Sequence, residues 1–190
     1  MPRHNEATAD YPENAKAQAR AGTCMSVLPI LTWPDPRLSQ RCAPVAHASD
    51  LAEVIADLFE TMYAAQGRGL AAPQVGILQQ FFVMDCGWKE GELTPKVCIN
   101  PTILESSEEI ATRPEACLSL PGITADIIRP TRIKLQSYDL DGRKQLWQLD
   151  GFEATCAQHE FDHLQGLVTL DRVDPADRPQ LEARYSAAMA

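Results

Sequence analysis

The run His159-Glu160-Phe161-Asp162-His163 fits the pattern H-E-x-x-H. The spacing has a chemical reason. On a helix, positions i and i+4 share a face, so two imidazoles can reach one metal ion. A carboxylate one residue after the first histidine lies beside that face. There it can take a proton from a water polarised by the metal without being a ligand itself. The ion lowers the pKa of water from about 15.7 towards ~7, which makes a nucleophile at neutral pH. The chemistry spelled out is that of a metal-dependent hydrolase with Glu160 as general base. The bland alternative is a pair of surface histidines. Against it, the chain has only four histidines, two of them here, and Phe161 and Leu164 set apolar side chains beside the motif. Asp162 reads as a solvated carboxylate, and His4 and His47 read as surface residues in loops.

A hydrolytic metal site needs a third protein ligand and an open position. Four candidates present themselves. The pattern H-E-x-x-H-x-x-G-x-x-H accepts Gly166 but meets Thr169 where a histidine belongs. Glu182 lies downstream at tolerable spacing, among Arg178, Pro179 and Arg184 in a short tail where a solvated face is the default. Cys156 shares a helix face with His159. It stands about 10.5 Å from His163 along a straight helix, which suits a pocket or core wall better than a third ligand. Cys117, flanked by Pro114 and Pro121, could close the site from a loop. Spacing alone does not choose among them.

The elements that must position these groups can be read coarsely. Trp33-Pro34-Asp35-Pro36 is a turn or extended loop, since two prolines exclude a helix there. Leu51, Val54, Ile55, Leu58, Phe59, Met62 and Tyr63 follow the helical period, so residues 51–65 are expected to form an amphipathic scaffold helix. Asp50 is the expected cap, with Glu53 completing a capping box. The segment 67–76 holds three glycines and a proline and should be tight and irregular. Strands are expected at 81–84, 96–100 (ended by Pro101), 123–128 and 132–138. A polar hairpin arm is expected over 102–111, and an Asp141-Gly142 turn returns the chain through 145–149. Residues 152–164 form the motif helix, ended by Gly166. Short strands with two main helices make an α+β fold.

Composition excludes several classes. The chain has 190 residues, 45% of them hydrophobic, enough for one domain with a real core. A net charge of −9 without a basic stripe argues against a nucleic-acid partner. No apolar run reaches the length of a membrane span, and no signal segment is apparent, so a cytoplasmic protein is expected. The six cysteines include no C-x-x-C pair and read as reduced, mostly core, thiols. Residues 1–24 are expected to be a loosely ordered extension and 25–190 a single domain, with Met25 opening the folded part.

Three segments, in order, resemble the signature motifs of the peptide deformylase family. They are Gly67-Arg68-Gly69-Leu70-Ala71-Ala72-Pro73-Gln74-Val75-Gly76, Glu115-Ala116-Cys117-Leu118-Ser119 and Gln158-His159-Glu160-Phe161-Asp162-His163-Leu164. Pro34 to Leu38 and Arg129 to Gly142 are also similar to that family. The resemblance implies antiparallel sheets packed around the motif helix. It implies Cys117 as third ligand with His159 and His163, Glu160 as base and later proton donor, and the Gln74 side chain with the Leu118 backbone N–H at the oxyanion. It further implies Fe²⁺ as the usual metal, with Zn²⁺ or Ni²⁺ as other occupants. The implied reaction removes formyl from N-formylmethionyl nascent peptides, in the cytoplasm and near the ribosome exit region, and releases formate.

Two positions depart from the family pattern. Arg68 replaces an aliphatic residue beside an apolar methionine pocket, where it could pair with an acidic substrate or turn outwards. Ala116 replaces a glycine, and its Cβ would crowd the peptide or strain a backbone that needed positive φ. With Gly69, whose bare backbone admits a close substrate strand, and Cys156, these are the expected substrate contacts. Two other classes compete with deformylation: a zinc endopeptidase using Glu182, and a formyl-peptide or ribosome-associated binder that keeps metal for stability.

Overall fold

A computed structural model describes residues 26–189; the expected extension and Met25 lie outside the described residues. Seven strands and three α-helices carry the site. They are β1 (Gly69–Ala71), β2 (Phe81–Met84), β3 (Lys96–Ser106), β4 (Ile110–Cys117), β5 (Leu120–Pro130), β6 (Arg132–Tyr138) and β7 (Lys144–Asp150), with α1 (Ala52–Ala64), α2 (Gly151–Leu164) and α3 (Arg178–Ala188). An antiparallel sheet of order β1-β2-β3-β6-β7 and a two-stranded sheet β4-β5 make the expected α+β fold.

Strand alternation divides the core. Phe81 and Val83 of β2, with Leu70 and Ile99, pack with Leu58, Phe59 and Met62 of α1. Phe82 and Met84, with Ala71 and Cys98, pack on the opposite face with Ala154, Ala157 and Leu164 of α2. The period of two thus feeds two helices from one strand, which is why all four residues of β2 are buried. A third cluster joins Ile123, Ala125 and Ile127 of β5 to Leu181 and Tyr185 of α3. The α2 helix contacts β1, β2, β6 and β7 of the large sheet and also β5 of the small one. It is therefore buried nearly all round, as its mixed composition requires. Gly166 follows it at φ 77°, and a Cβ there would meet the backbone of Ser39 and Gln40 at 2.9 Å. No helix of the described residues is long and apolar enough to cross a membrane.

Several expectations need correction. Asp50 does not cap α1: a 3-10 turn over Ala48–Leu51 leads into the helix, and its N-cap Leu51 has no side-chain bond. The loop at Pro36 begins another 3-10 turn, Pro36–Ser39, because Asp35 accepts from Arg37 N and proline suits a first helical position. Pro101 does not end β3. The strand passes it with a register shift between Ile99 and Thr102, where Asn100 takes φ 47° and its side chain bonds both Val45 N and Val45 O. The expected polar arm is the end of β3 and the start of β4, which belong to different sheets. Cys117 ends a strand rather than sitting on a loop. The short tail forms α3, tied by Tyr185 Oη to Trp33 O at 2.7 Å.

Candidate metal centre and substrate cleft

The ligand residues come from two elements. On α2, His159 and His163 share a face, with ring centroids 5.1 Å apart. Cys117 arrives at the end of β4, where alternation turns Glu115 and Cys117 to the buried side. One ligand atom from each of Cys117, His159 and His163 lies within 4.8 Å of the other two. The Cys117 Sγ to His163 Nε2 distance is 3.2 Å. Cys156 is buried behind them and gives its thiol to Arg68 O at 3.6 Å, outside the ligand group. Glu182 is paired with Arg178 on α3 and is likewise no part of that group.

The electrostatics suit a cation. Burial pushes the Cys117 thiol up, but His163 and His159 outweigh it and bring it well below its ordinary range. Burial lowers His159, but Cys117, Glu115 and Glu160 outweigh that and raise it well above its ordinary value. Burial pushes the Glu160 carboxyl up to about 7 against the pull of both imidazoles. Two buried polar atoms here, Glu160 Oε2 and His163 Nδ1, have no hydrogen-bond partner. A cluster of one thiol, two imidazoles and a carboxylate with an unpartnered buried oxygen fits a borderline-soft divalent ion with an exchangeable position.

Outer partners hold the ligands in place. His159 Nδ1 stands 2.8 Å from Glu115 Oε2, which assigns the proton to Nδ1 and leaves Nε2 as a donor to metal. Glu115 accepts from Arg129 Nε at 2.6 Å and Nη2 at 3.0 Å; Arg129 Nη1 reaches Asp162 Oδ2 at 2.8 Å, and Arg172 also pairs with Asp162. Asp162 is therefore 5% exposed and not solvated as expected, because two guanidinium groups neutralise it. Glu115 and Arg129 were legible only as motif letters. A stronger signal was their place on the buried face of β4 and β5, which Glu115 shares with Cys117 and Arg129 shares with Ile123, Ala125 and Ile127.

Gln74 sits in a 3-10 turn after β1. Its Oε1 accepts from Ala71 N at 2.8 Å; its Nε2 donates to Ser119 Oγ at 3.1 Å and lies 3.7 Å from Cys117 Sγ. A cleft of about 530 Å³ is lined by β1 and β4 residues and by α2, and it includes Arg68, Gly69, Gln74, Ala116, Leu118 and Cys156. Arg68 is not free, and it turns outwards to the exposed Glu90. It forms a bidentate pair with Glu90 at 2.6 Å, bonds Cys86 O, and stands 5.3 Å from the Phe152 ring. Ala116 is not among the residues of positive φ, so its Cβ strains no backbone. His47 is exposed, as expected, and His4 lies outside the described residues.

Comparison with known proteins converges on one group. A profile described as polypeptide deformylase matches residues 27–179. A peptide deformylase of Brucella suis is 42% identical over 163 residues, covering 85% of this chain and 93% of its own length. One of Alkalilimnicola ehrlichii is 44% identical, covering 84% and 89%. The crystal structure of a peptide deformylase from Synechococcus elongatus in complex with actinonin matches with a TM-score of 0.80 at 35% identity, covering 84% of this chain and 88% of that one.

Proposed function

From the premise that this chain belongs to the polypeptide deformylase family, we infer a hydrolase that removes the N-terminal formyl group from formylmethionyl nascent peptides and releases formate. One observation supports the assignment of roles: ligand atoms of Cys117, His159 and His163 converge, and Cys117, His159 and the buried Glu160 line a cleft between two strands.

In this reading Cys117, His159 and His163 hold one divalent ion. When bound, the ion supplies Lewis-acid polarisation and lowers the pKa of water. The chain's own groups do the rest. Glu160 accepts the proton of the attacking water and passes it to the departing amine; a carboxyl tuned towards neutrality suits both duties. Gln74 Nε2 and the Leu118 backbone N–H donate to the carbonyl oxygen as charge develops, each worth ~10²–10³ in rate. Glu115 keeps His159 oriented. The strands β1 and β4 offer backbone groups to an extended peptide, in the manner of strand addition. Arg68, Gly69, Ala116 and Cys156 line its path. The ion is Fe²⁺ in our reading; the ligand set would also accept Zn²⁺ or Ni²⁺. Its substrate places the enzyme in the cytoplasm, acting on chains near the ribosome exit.

The test is formate release from an N-formyl-Met tripeptide by anaerobically prepared, Fe²⁺-loaded protein. Turnover that disappears in Glu160→Ala, with metal retained, is the expected result. Metal-loaded, folded protein without turnover would refute the assignment. Activity after loading with Zn²⁺ or Ni²⁺ that exceeds the Fe²⁺ form would reassign the metal alone.

A further inference from the structure

The described residues include five buried free cysteines, and the proposed metal centre uses one of them. Two others meet behind the cleft. Cys156, on α2, lines it, and Cys86 follows β2 by two residues. Both belong to the core cluster that packs α2 on the large sheet. Arg68 joins them. Its carbonyl oxygen accepts from Cys156 Sγ at 3.6 Å and from Asp85 N at 2.9 Å, and its guanidinium donates to Cys86 O. The two thiols are also hydrogen-bonded to each other. Two sulfurs thus face one another in the wall of the cleft, and the chemistry above does not use them as a pair.

The donor set selects an ion. Among the described residues no third His, Cys, Asp or Glu ligand atom gathers with this pair; the one such group is Cys117, His159 and His163. Zn²⁺ usually takes four ligands and does not suit two thiols alone. Soft sulfur donors favour Cu⁺, whose filled d shell lets it bind two thiolates in a line. Two S–Cu bonds form, two S–H bonds break and both protons go to water, so the complex carries one negative charge. Arg68 lies where it can balance that charge: its guanidinium is held charged by Glu90 first, and further by negative charge on Cys86 and Cys156. Oxidation is the competing fate of a dithiol. The bond to Cys86 and burial hold the Cys156 thiol well above its ordinary range, which makes it slow toward oxidants. Occupancy has a consequence for the cleft. To take the ion, Cys156 gives up its bond to Arg68 O, and Arg68 leads directly into Gly69, whose backbone lies against Glu160.

We propose that Cys86 and Cys156 form a second metal site, for Cu⁺, and that filling it slows turnover at the first. The site itself does not depend on the deformylase reading; the inhibition does. In the test, Fe²⁺-loaded protein is titrated anaerobically with Cu⁺ buffered by bicinchoninate and then desalted. One copper per chain is expected, with iron retained and with a copper absorption edge that shows two sulfur neighbours and no imidazole nitrogen. Formate release should fall by about 10- to 100-fold, the scale of a displacement approaching about 1 Å in a catalytic group. Excess chelator should restore the rate. Cys86→Ala and Cys86→Ser should keep the parent's rate without copper. At the copper level that fills the parent, they should neither take it up nor be inhibited. No copper uptake, copper that replaces iron, sulfur–nitrogen coordination, or uptake unchanged in both Cys86 variants would each overturn the site. A Cys86–Cys156 disulfide formed in place of the complex would overturn it too. Copper on two sulfurs with formate release unchanged would overturn the inhibition. No formate before any copper is added would refute the deformylase reading, while the copper count would still decide the site.

Discussion

A β-carbon at position 69 would fall 2.3 Å from Glu160 Oε1 and 2.8 Å from its Cδ and Cγ. Gly69 is therefore a matter of space, since its φ is not in the left-handed region. The carboxylate of the proposed base rests against the bare backbone of β1, where a substrate strand is also expected to lie. Gly69→Ala should push Glu160 out of place. A shift of the order of 1 Å in a catalytic group costs about 10²-fold, so kcat/KM should fall by about that factor. Metal content should hold, because the three atoms nearest to an added Cβ all belong to Glu160, which is not one of the proposed ligands. A variant within a factor of three of the parent in formate release would refute this account. The same residue shows what the sequence could not tell. The motif made a close approach of backbone and substrate readable, but the partner that forbids a side chain is far away in the chain. Arg68 is similar: its type was plain, and its pairing with Glu90 required the turn at Trp88–Glu90 to bring that carboxylate back over the cleft.

At the scale of elements, β4 and β5 carry a charged string through the core. Glu115, Arg129 and Asp162 are each 6% exposed or less. Arg129 bridges both carboxylates, so Arg129→Met would leave Glu115 with only His159 and Asp162 with only Arg172. Breaking such a network costs ~3–5 kcal/mol, equivalent to a thermal midpoint lower by roughly 6–20 °C in a chain of this size. The pH dependence follows from Glu115. Burial raises its carboxyl, but His159 and Arg129 outweigh it and hold it below the ordinary 4.5. A depressed carboxyl stabilises the fold above its unfolded pKa and loses that stabilisation as pH falls through the folded one. The destabilisation of Arg129→Met should therefore be full at neutral pH and shrink below about pH 4. Unfolding midpoints at both pH values check it; a loss that grew with acid would contradict the sign. Elements with strong periods were legible: α1 from its apolar stripe, β2 and β6 to the residue. The strand β4 was not, because its exposed residues outnumber its buried ones and its proline and charges mimic a loop. The helix α3 was missed because only Leu181 and Tyr185 of it are buried.

For the molecule as a whole, the three proposed ligands join parts that contact one another sparingly elsewhere. His159 and His163 belong to the helix beneath the large sheet, while Cys117 belongs to the small sheet, 46 residues from His163 in the chain. That separation is why spacing alone left the third ligand open: folding of β4 against α2 makes the site, and no local pattern records it. An ion held by these three residues would cross-link the small sheet to α2, which packs on the large one. It binds the folded chain, where the ligands converge, far better than the unfolded one. At about 1,000 times its dissociation constant such a ligand contributes roughly 4 kcal/mol, which corresponds to a thermal midpoint higher by about 8–16 °C. Removing metal with a chelator under anaerobic conditions should lower the midpoint by that much. Hydrogen exchange should quicken most in β4 and β5, whose other anchors are the Arg129 string and the packing of α3. The large sheet has its own two-sided core and should keep its protection. Reloading should restore both readings. If metal leaves and neither the midpoint nor the exchange of β4 and β5 moves, then the ion is not a structural link between the sheets, and the Arg129 string with α3 suffices to dock the small sheet against α2.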